Sequence, residues 1–381
     1  MAKITMAAPF DTRGRYRGGI CALVGAVMRH SDRTALFGAE VTPFETCRID
    51  RHRSRAAAVN LSNLRNFVKI YTDLPRELKA SGATCLYYHS SAGLALLKDL
   101  LAIRRVKRRL GVATALHIHY ADYEKIMTGK APLDGLILRL MKRYVDRTVF
   151  LSQKTMEEFV AHGLSAERCR VIYNFSTVEF STEEIEEHLR HPSEKRRFLF
   201  VGSIDGRKGI FDVLACMADM TEDFTLDVCG DFGTEADRKR FDAYAERLGD
   251  RLVYHGYVTG EEKRRRFLDA DVLILPSYGE GLPVVIPEAL CAACGVITSD
   301  VGAIPEIVRE ENGYVVSPGD GEALRRAIAT YVRMDPQVLA EQKRRNTLRH
   351  EEYTIRYFIE AMGSVCREAE ADPVYLSRGK R

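Results

Sequence analysis

A chain of 381 residues, 46% hydrophobic and 29% charged, has the make-up of a soluble globular protein and the length of two domains rather than one. A formal net charge of +4 carries no bulk signature of nucleic-acid binding, and no apolar run reaches the ~20 residues that span a bilayer. The nine cysteines are scattered through apolar segments without framework spacing, and the opening MAKITMAAPF lacks the apolar core of a signal peptide, so reduced thiols and a cytoplasmic location are expected.

The first strand is expected over residues 3–8. A loop over 9–19 follows, ending in Gly18-Gly19, and then a helix from Ile20 to about Arg29. Arg13, Arg15 and Arg17 interleave the loop, which reads either as a surface loop or as one that closes over an anionic ligand. It is not GxGxxG, so it does not argue for a dinucleotide. Further strands are expected over 34–39, 84–88, 112–118, 148–151 and 170–173, separated by helices over 61–80, 93–110, 133–144 and 154–162. Strands alternating with helices give a parallel, doubly wound sheet.

Residues 176–196 break the alternation and read as a linker with a short surface helix. A second cycle then runs through strands at 197–202, 224–229, 251–255, 272–275, 296–299 and 313–316. From Glu322 the chain is expected to be helical throughout, with Tyr353, Tyr357, Phe358, Met362 and Val365 at helical spacing. The expected organisation is an α/β protein with an N-terminal domain over 1–190, a C-terminal domain over 191–350, and a helix and tail over 351–381.

Local charge is uneven. Arginines cluster over 48–55, and LLAIRRVKRRL over 100–110 sets Leu101, Ile103, Val106 and Leu110 among five basic residues. Such a helix is either the solvated face of a sheet-packed element or a surface attracted to an anionic membrane. The two readings differ in whether the charges share one exposed plane.

The chemistry concentrates in LPSYGEGLPVVIPEALCAACGVITSDVGAIPE, residues 275–306. A buried strand ends at Pro276-Ser277 and runs into a loop holding Gly279, Glu280, Gly281 and Pro283. Glu288 falls in the helix that follows. A second strand, at 295–299, ends in another glycine loop at Gly302. Two glycine loops at the carboxyl ends of strands are where an open α/β sheet binds ligands, because backbone N–H groups can approach a phosphate there. Arg207 and Lys208 sit in a third Gly-flanked loop between strand and helix, in the right place for a phosphate clamp. Cys291 and Cys294 form an isolated CxxC in a helix, read as ordinary thiols. His117 and His119 flank Ile118 on one face at the end of a strand.

Glu280 and Glu288 are the ends of an E-x7-E pattern. With LPS before it and SDVGAIPE after it, the segment resembles the family 4 retaining glycosyltransferases. FLFVGSIDGRKGI (198–210), LDVCGDFG (226–233), LHIHYADY (116–123), VFLSQ (149–153) and VIYNF (171–175) fall in the order of that family. The resemblance implies the GT-B fold: two Rossmann-like parallel-sheet domains facing across a cleft, with the C-terminal helix packing back on the first. It implies retaining, metal-independent transfer of a hexose or N-acetylhexosamine from a nucleotide sugar to a glycan or lipid-linked acceptor in polysaccharide assembly, with no cofactor. Ser203, Arg207 and Lys208 together lean the donor towards a UDP-sugar.

By the resemblance, Glu288 accepts hydrogen bonds from the ribose and Glu280 holds hydroxyls of the transferred sugar. The N–H groups of Gly281 and Leu282, at the helix start, complete the phosphate cradle, and Pro283 fixes its loop. Val258 joins the donor contacts. His119 reaches the donor sugar, with His117 as the alternate. Gly18 and Gly19 match the family's first-domain glycine pair. Asn174 is expected to be a structural polar group at the hinge.

The chain departs from the family pattern in places. Ser203 stands where the family often has Arg, so a phosphate contact is absent or comes from Arg207. Ala293 and Gly295 stand where Gly and Pro are usual, which loosens a packing position. Asp269-Ala270-Asp271 matches a metal-binding DxD by letters, but it ends a helix just before the LPS strand and is not expected to hold a metal. The expected partners are the donor and the acceptor, with peripheral contact to the inner face of an anionic membrane open through the basic helix, and no nucleic acid. A sugar-nucleotide epimerase, or a non-catalytic subunit that binds nucleotide sugar, are the competing readings.

Overall fold

The computed structural model describes residues 2–9, 19–30, 38–46, 61–190 and 195–374. Gly18, Arg13, Arg15, Arg17, the basic run at 48–55 and nearly all of the strand expected over 34–39 lie outside these residues. The chain divides into two compact units, Met1–Asn174 with Ile355–Arg381, and Phe175–Thr354. That division puts the expected linker and its helix in the second unit and the last helix in the first.

The first unit is a six-stranded parallel sheet in the order β2-β1-β3-β4-β5-β6. Its strands are β1 (Ala2–Ala8), β2 (Ala39–Glu45), β3 (Cys85–Ser90), β4 (Ala113–Ile118), β5 (Arg147–Phe150) and β6 (Cys169–Val171). β3, β4 and β5 are buried at every residue. Apolar runs such as CLYY and ATAL form strands of this kind because helices cover both faces of a parallel sheet. β2 lies later in the chain than expected because Pro43 weakens the strand signal. At a sheet edge, which β2 occupies, a missing N–H is tolerated.

The first unit's helices are α1 (Gly19–Arg29), α2 (Leu61–Ser81), α3 (Gly93–Leu110), α4 (Tyr123–Ile126), α5 (Ala131–Tyr144) and α6 (Gln153–Ala161). The final helix, Ile355–Ala371, returns to this unit and packs on β1, β3, β4 and β5. Its buried stripe is Phe358, Ile359, Met362, Val365 and Cys366.

The basic segment of α3 does not present its charges in one exposed plane. Lys107 lies on the stripe that begins at Ile103, one helical turn earlier, and is buried with Asp146 at 2.5 Å. The same Asp146 oxygen accepts from the Thr114 N–H at 2.7 Å. Arg105 stacks over Tyr71 at 4.3 Å and Arg104 over Tyr144 at 5.8 Å. Only Arg108 and Arg109 of the five are exposed, with Arg104 and Arg105 half-buried, so the attraction this helix offers an anionic surface is ~1 kcal/mol for each of the two exposed residues.

The second unit is also a six-stranded parallel sheet, in the order β12-β11-β10-β7-β8-β9. Its strands are β7 (Arg196–Val201), β8 (Phe224–Cys229), β9 (Leu252–Gly256), β10 (Val272–Leu275), β11 (Gly295–Ser299) and β12 (Gly313–Val316). The strand order reverses between β7 and β10, which brings the loops after these two strands side by side. Such a switch point is the ligand-binding crevice of an open α/β sheet.

The second unit's helices are α7 (Thr182–Arg190), α8 (Ile210–Ala218), α9 (Glu235–Leu248), α10 (Gly260–Asp269), α11 (Val285–Cys291), α12 (Ile304–Ile307), α13 (Gly321–Arg333) and α14 (Pro336–Asn346). With the final helix as α15, the region after Glu322 is not helical throughout. Met334 is extended, Pro336 opens a new helix capped by Asp335, and a 3-10 helix over Thr347–Tyr353 ends at extended Thr354.

Two residues near β11 depart from the expected packing. Ala293 adopts φ 62° and is the sole non-glycine with positive φ among the described residues, a conformation that costs an L-residue roughly 1–2 kcal/mol. Gly295 is not a loosened position. A side chain there would lie 2.6 Å from the Tyr331 hydroxyl, so the tyrosine already fills the space. Burial pushes the Cys291 and Cys294 thiols up to about 12, and they stay inert. Asp271 belongs to the frame: it accepts from the Arg197 N–H at 3.0 Å and faces Lys343 at 3.3 Å.

Candidate functional site

In the second unit, β7 runs into the loop 202–209. Asp205 caps its tight turn, Gly206–Lys208, by accepting from the Lys208 N–H at 3.0 Å. The Ser203 hydroxyl donates to Asp205 at 2.7 Å. This holds Arg207 and Lys208 at the mouth of the β7/β10 switch point. Gly209 has φ 73°, and a Cβ there would stand 2.2 Å from the Pro276 carbonyl oxygen. Glycine is therefore what lets the two loops touch. The Tyr278 N–H donates to the Arg207 carbonyl at 2.9 Å.

The second loop brings Glu280 onto these cations. Lys208 Nζ ion-pairs with Glu280 Oε1, and Arg207 Nη1 lies 3.8 Å from the same oxygen. The Lys208 and Glu280 side chains are 16% and 10% exposed, whereas Arg207 is 56% exposed. One half-buried cation is thus committed to the carboxylate, and one reaches solvent. The Gly302 loop supports the arrangement from below. A Cβ on Gly302, φ 60°, would stand 2.2 Å from the Gly281 carbonyl oxygen and 2.4 Å from that of Glu280. The Ala303 N–H donates to Gly281 at 2.8 Å.

The helix after this loop starts at Val285, not at Gly281. Gly281, Leu282 and Pro283 therefore lie in the loop, and the Pro283 carbonyl accepts from the Ile286 N–H at 3.1 Å. Leu282 and Pro283 are buried.

Glu288 lies in the first turn of α11 and is fully buried. It has two partners that the sequence reading missed. Thr177 donates to Oε1 at 2.5 Å, and Lys263 Nζ lies 2.7 Å from each carboxylate oxygen. Only the approach to Oε1 has hydrogen-bond geometry, so buried Oε2 accepts no hydrogen bond. Lys263 was legible in one respect: it precedes buried Phe267 by four residues on α10, which puts both on one face. Val258, buried in the segment that leads into α10, lies close to it in sequence.

In the first unit, β3 and β4 pair His89 with His117 in register, and His119 follows two residues later on the same face. The three rings stack, with centroids 4.2 Å apart for His117 and His119 and 4.9 Å for His89 and His119. His89 Nδ1 and His119 Nε2 share a hydrogen bond of 2.6 Å, and the Tyr87 hydroxyl meets His117 Nδ1 at 3.0 Å. Burial pushes all three imidazoles below their usual range, His119 to about 3, and the neighbouring rings push His117 and His89 further down. These are neutral rings, able to donate or accept one hydrogen bond but not to supply charge.

One nitrogen from each ring lies within 4.8 Å of the others, so the cluster has the donor set of a metal site. In this arrangement, however, His89 and His119 spend facing nitrogens on each other. The sequence reading missed His89, since only the β3–β4 register reveals it. Gly19 is the first residue of α1. Asn174 is buried at the last residue before the first unit gives way to the second.

A family profile described as "Glycosyl transferases group 1" matches residues 181–350, and one described as "Glycosyltransferase Family 4" matches residues 30–179. The lipopolysaccharide core biosynthesis mannosyltransferase LpcC of Rhizobium leguminosarum is 40% identical over 116 residues, 30% of this chain and 32% of that one. The match thus spans about a third of the relative's length. Among solved structures, the sucrose-phosphate synthase of Thermosynechococcus elongatus superposes with a TM-score of 0.69 at 20% identity, covering 97% of this chain and 100% of that one. Anabaena HepE in complex with UDP-glucose gives 0.64 at 18% identity, covering 96% and 98%. The fold is that of the GT-B glycosyltransferases.

Proposed function

We propose that this chain, which belongs to the group 1 and family 4 glycosyltransferases, transfers a hexose or N-acetylhexosamine from a nucleotide sugar to a glycan or lipid-linked acceptor, with retention and without a metal. The observation that carries the reading is the junction at the β7/β10 switch point, where Lys208 and Arg207 converge on Glu280. A departing nucleoside diphosphate carries roughly two negative charges that need fixed cations and oriented N–H groups. Arg207 supplies a planar fork and Lys208 a point charge. When the diphosphate enters, the Lys208 ammonium is drawn to it, and the Glu280 oxygens turn to the hydroxyls of the sugar. Glu288 binds the ribose diol, with Val258, Gly281, Leu282 and Pro283 lining the remainder. Ser203 is committed to Asp205, which leaves Arg207 as the guanidinium for the phosphates. A uridine donor fits the complex that HepE forms with UDP-glucose.

For retention, the acceptor hydroxyl attacks the anomeric carbon from the face that the diphosphate leaves. A departing phosphate oxygen takes the hydroxyl proton as the glycosidic bond forms. His119, neutral, donates or accepts one hydrogen bond at the sugar. The place of action is cytoplasmic.

The test is Glu280→Ala. Loss of the sugar-orienting carboxylate should lower kcat by ~100–1,000-fold, with the product anomer of the wild-type protein read by NMR. Transfer at the wild-type rate, an inverted product or a trapped glycosyl-enzyme adduct overturns the reading. Incubating donor without acceptor separates transfer from epimerisation.

A further inference from the structure

Glu288 is wholly buried, yet a carboxylate that has to meet ribose hydroxyls must stay charged and keep one oxygen available. α10 meets the first need. Lys263 Nζ, on a side chain only 14% exposed, lies 2.7 Å from both Glu288 oxygens, and Thr177 fills a second position on Oε1 at 2.5 Å. Oε2, enclosed beside the same ammonium, accepts no hydrogen bond in this arrangement. Lys263 is set apart from the other basic residues of α10: Arg264 pairs with Glu261 and Glu184, Arg265 with Asp269 and Arg266 with Glu262. Among these cations, Lys263 is the one turned onto the buried carboxylate.

We infer that Lys263 is a positioning residue of the donor site, one that holds the Glu288 carboxylate in place and gives its remaining N–H to a ribose hydroxyl. The ammonium and carboxylate then read the 2′,3′-diol as a pair. Each hydroxyl donates to Glu288, and one accepts from Lys263. The inference deepens the proposed donor reading and rests on Glu288 facing the ribose. It commits Lys263 to the pentose and not to the diphosphate, which Arg207 and Lys208 serve from another loop.

The experiment measures binding by calorimetry to the full chain, using whichever of UDP, GDP or ADP the wild-type protein takes, against its 2′,3′-dideoxy counterpart. Wild type should prefer the natural nucleotide by ~10–100-fold, as charge-assisted hydrogen bonds to two hydroxyls imply. Lys263→Met should erase most of that preference by weakening the natural nucleotide at least ~10-fold, while leaving the dideoxy form bound as before. Lys263→Arg should restore part of it. Dideoxy binding reports that the variant is folded. If Lys263→Met weakens both ligands equally, or neither, the inference is overturned. If wild type binds the two ligands equally, the ribose role of Glu288 fails instead, and if it binds no nucleotide, the donor reading fails with it.

Discussion

In the first unit, the carboxyl ends of β3 and β4 gather three imidazoles that burial has stripped of charge. In the second, the loop after β10 and the helix that follows it carry two carboxylates, and each has a lysine: Glu280 has Lys208, and Glu288 has Lys263. Both sets sit where parallel strands end, and both are largely shielded from water. The imidazoles solve the desolvation problem by staying neutral, at a cost of three ring nitrogens with no partner. The carboxylates solve it by pairing, since an isolated buried charge costs several kcal/mol. A cluster that stays neutral suits a polyol, and one that holds opposed charges suits an ionic ligand that can exchange partners with it.

The sharpest way to break the contrast is to remove a cation. Lys208→Met leaves Glu280 with distant Arg207 and, in the proposed transfer, strips the leaving group of its closest charge. Donor kcat/KM should fall by ~100–1,000-fold. Steady-state kinetics within fivefold of wild type would show that the pair is structural.

Acid tests the neutral cluster. Unfolded histidine titrates near ~6.5, whereas folded His119 titrates at about 3. Below pH 6.5 the unfolded chain therefore binds more protons. Stability from His119 is complete above that pH and drains as pH falls towards the folded value. At pH 5 the loss should reach about 2 kcal/mol. Thermal melts from pH 7.5 to 5 should show at least this slope, and His119→Gln should reduce it by the His119 share, leaving that of His89 and His117. Parallel pH profiles for the two proteins would refute the neutral ring.

The smallest effect belongs to a residue in neither cluster. Ala293→Gly relieves the left-handed backbone at some cost in unfolded-state entropy, for a net gain of ~0.5–1 kcal/mol. Chemical denaturation should show the gain with transfer unchanged. A loss of stability would mean that the alanine methyl packs better than its backbone suffers.

The legibility of these features follows from how local their causes are. The strand–helix alternation and the loops around Glu280 are written in adjacent residues, because apolar runs and glycines act within a few positions. Ala293 could be named from pattern, but its φ could not. His89 was silent because its partners come from register between strands about 30 residues apart. Lys107 and Lys263 were hidden by their neighbours. Each sits in a basic run that reads as solvated surface, and only its i, i+4 relation to an apolar residue, Ile103 or Phe267, marks it as inward. Pro43 misled in the opposite direction, because its cost depends on whether the strand is at an edge.

The first unit is assembled from both ends of the chain, and this sets an order in time. Its sheet is synthesised by Asn174, but α15 follows about 180 residues later. At ~5–20 residues per second, the ribosome needs roughly 10–40 s to supply it. Over that interval the sheet face destined for Phe358, Ile359, Met362 and Val365 has no cover, while the second unit, continuous in sequence, can complete itself. The unit begun first is therefore finished only after the second has been synthesised, when α15 emerges.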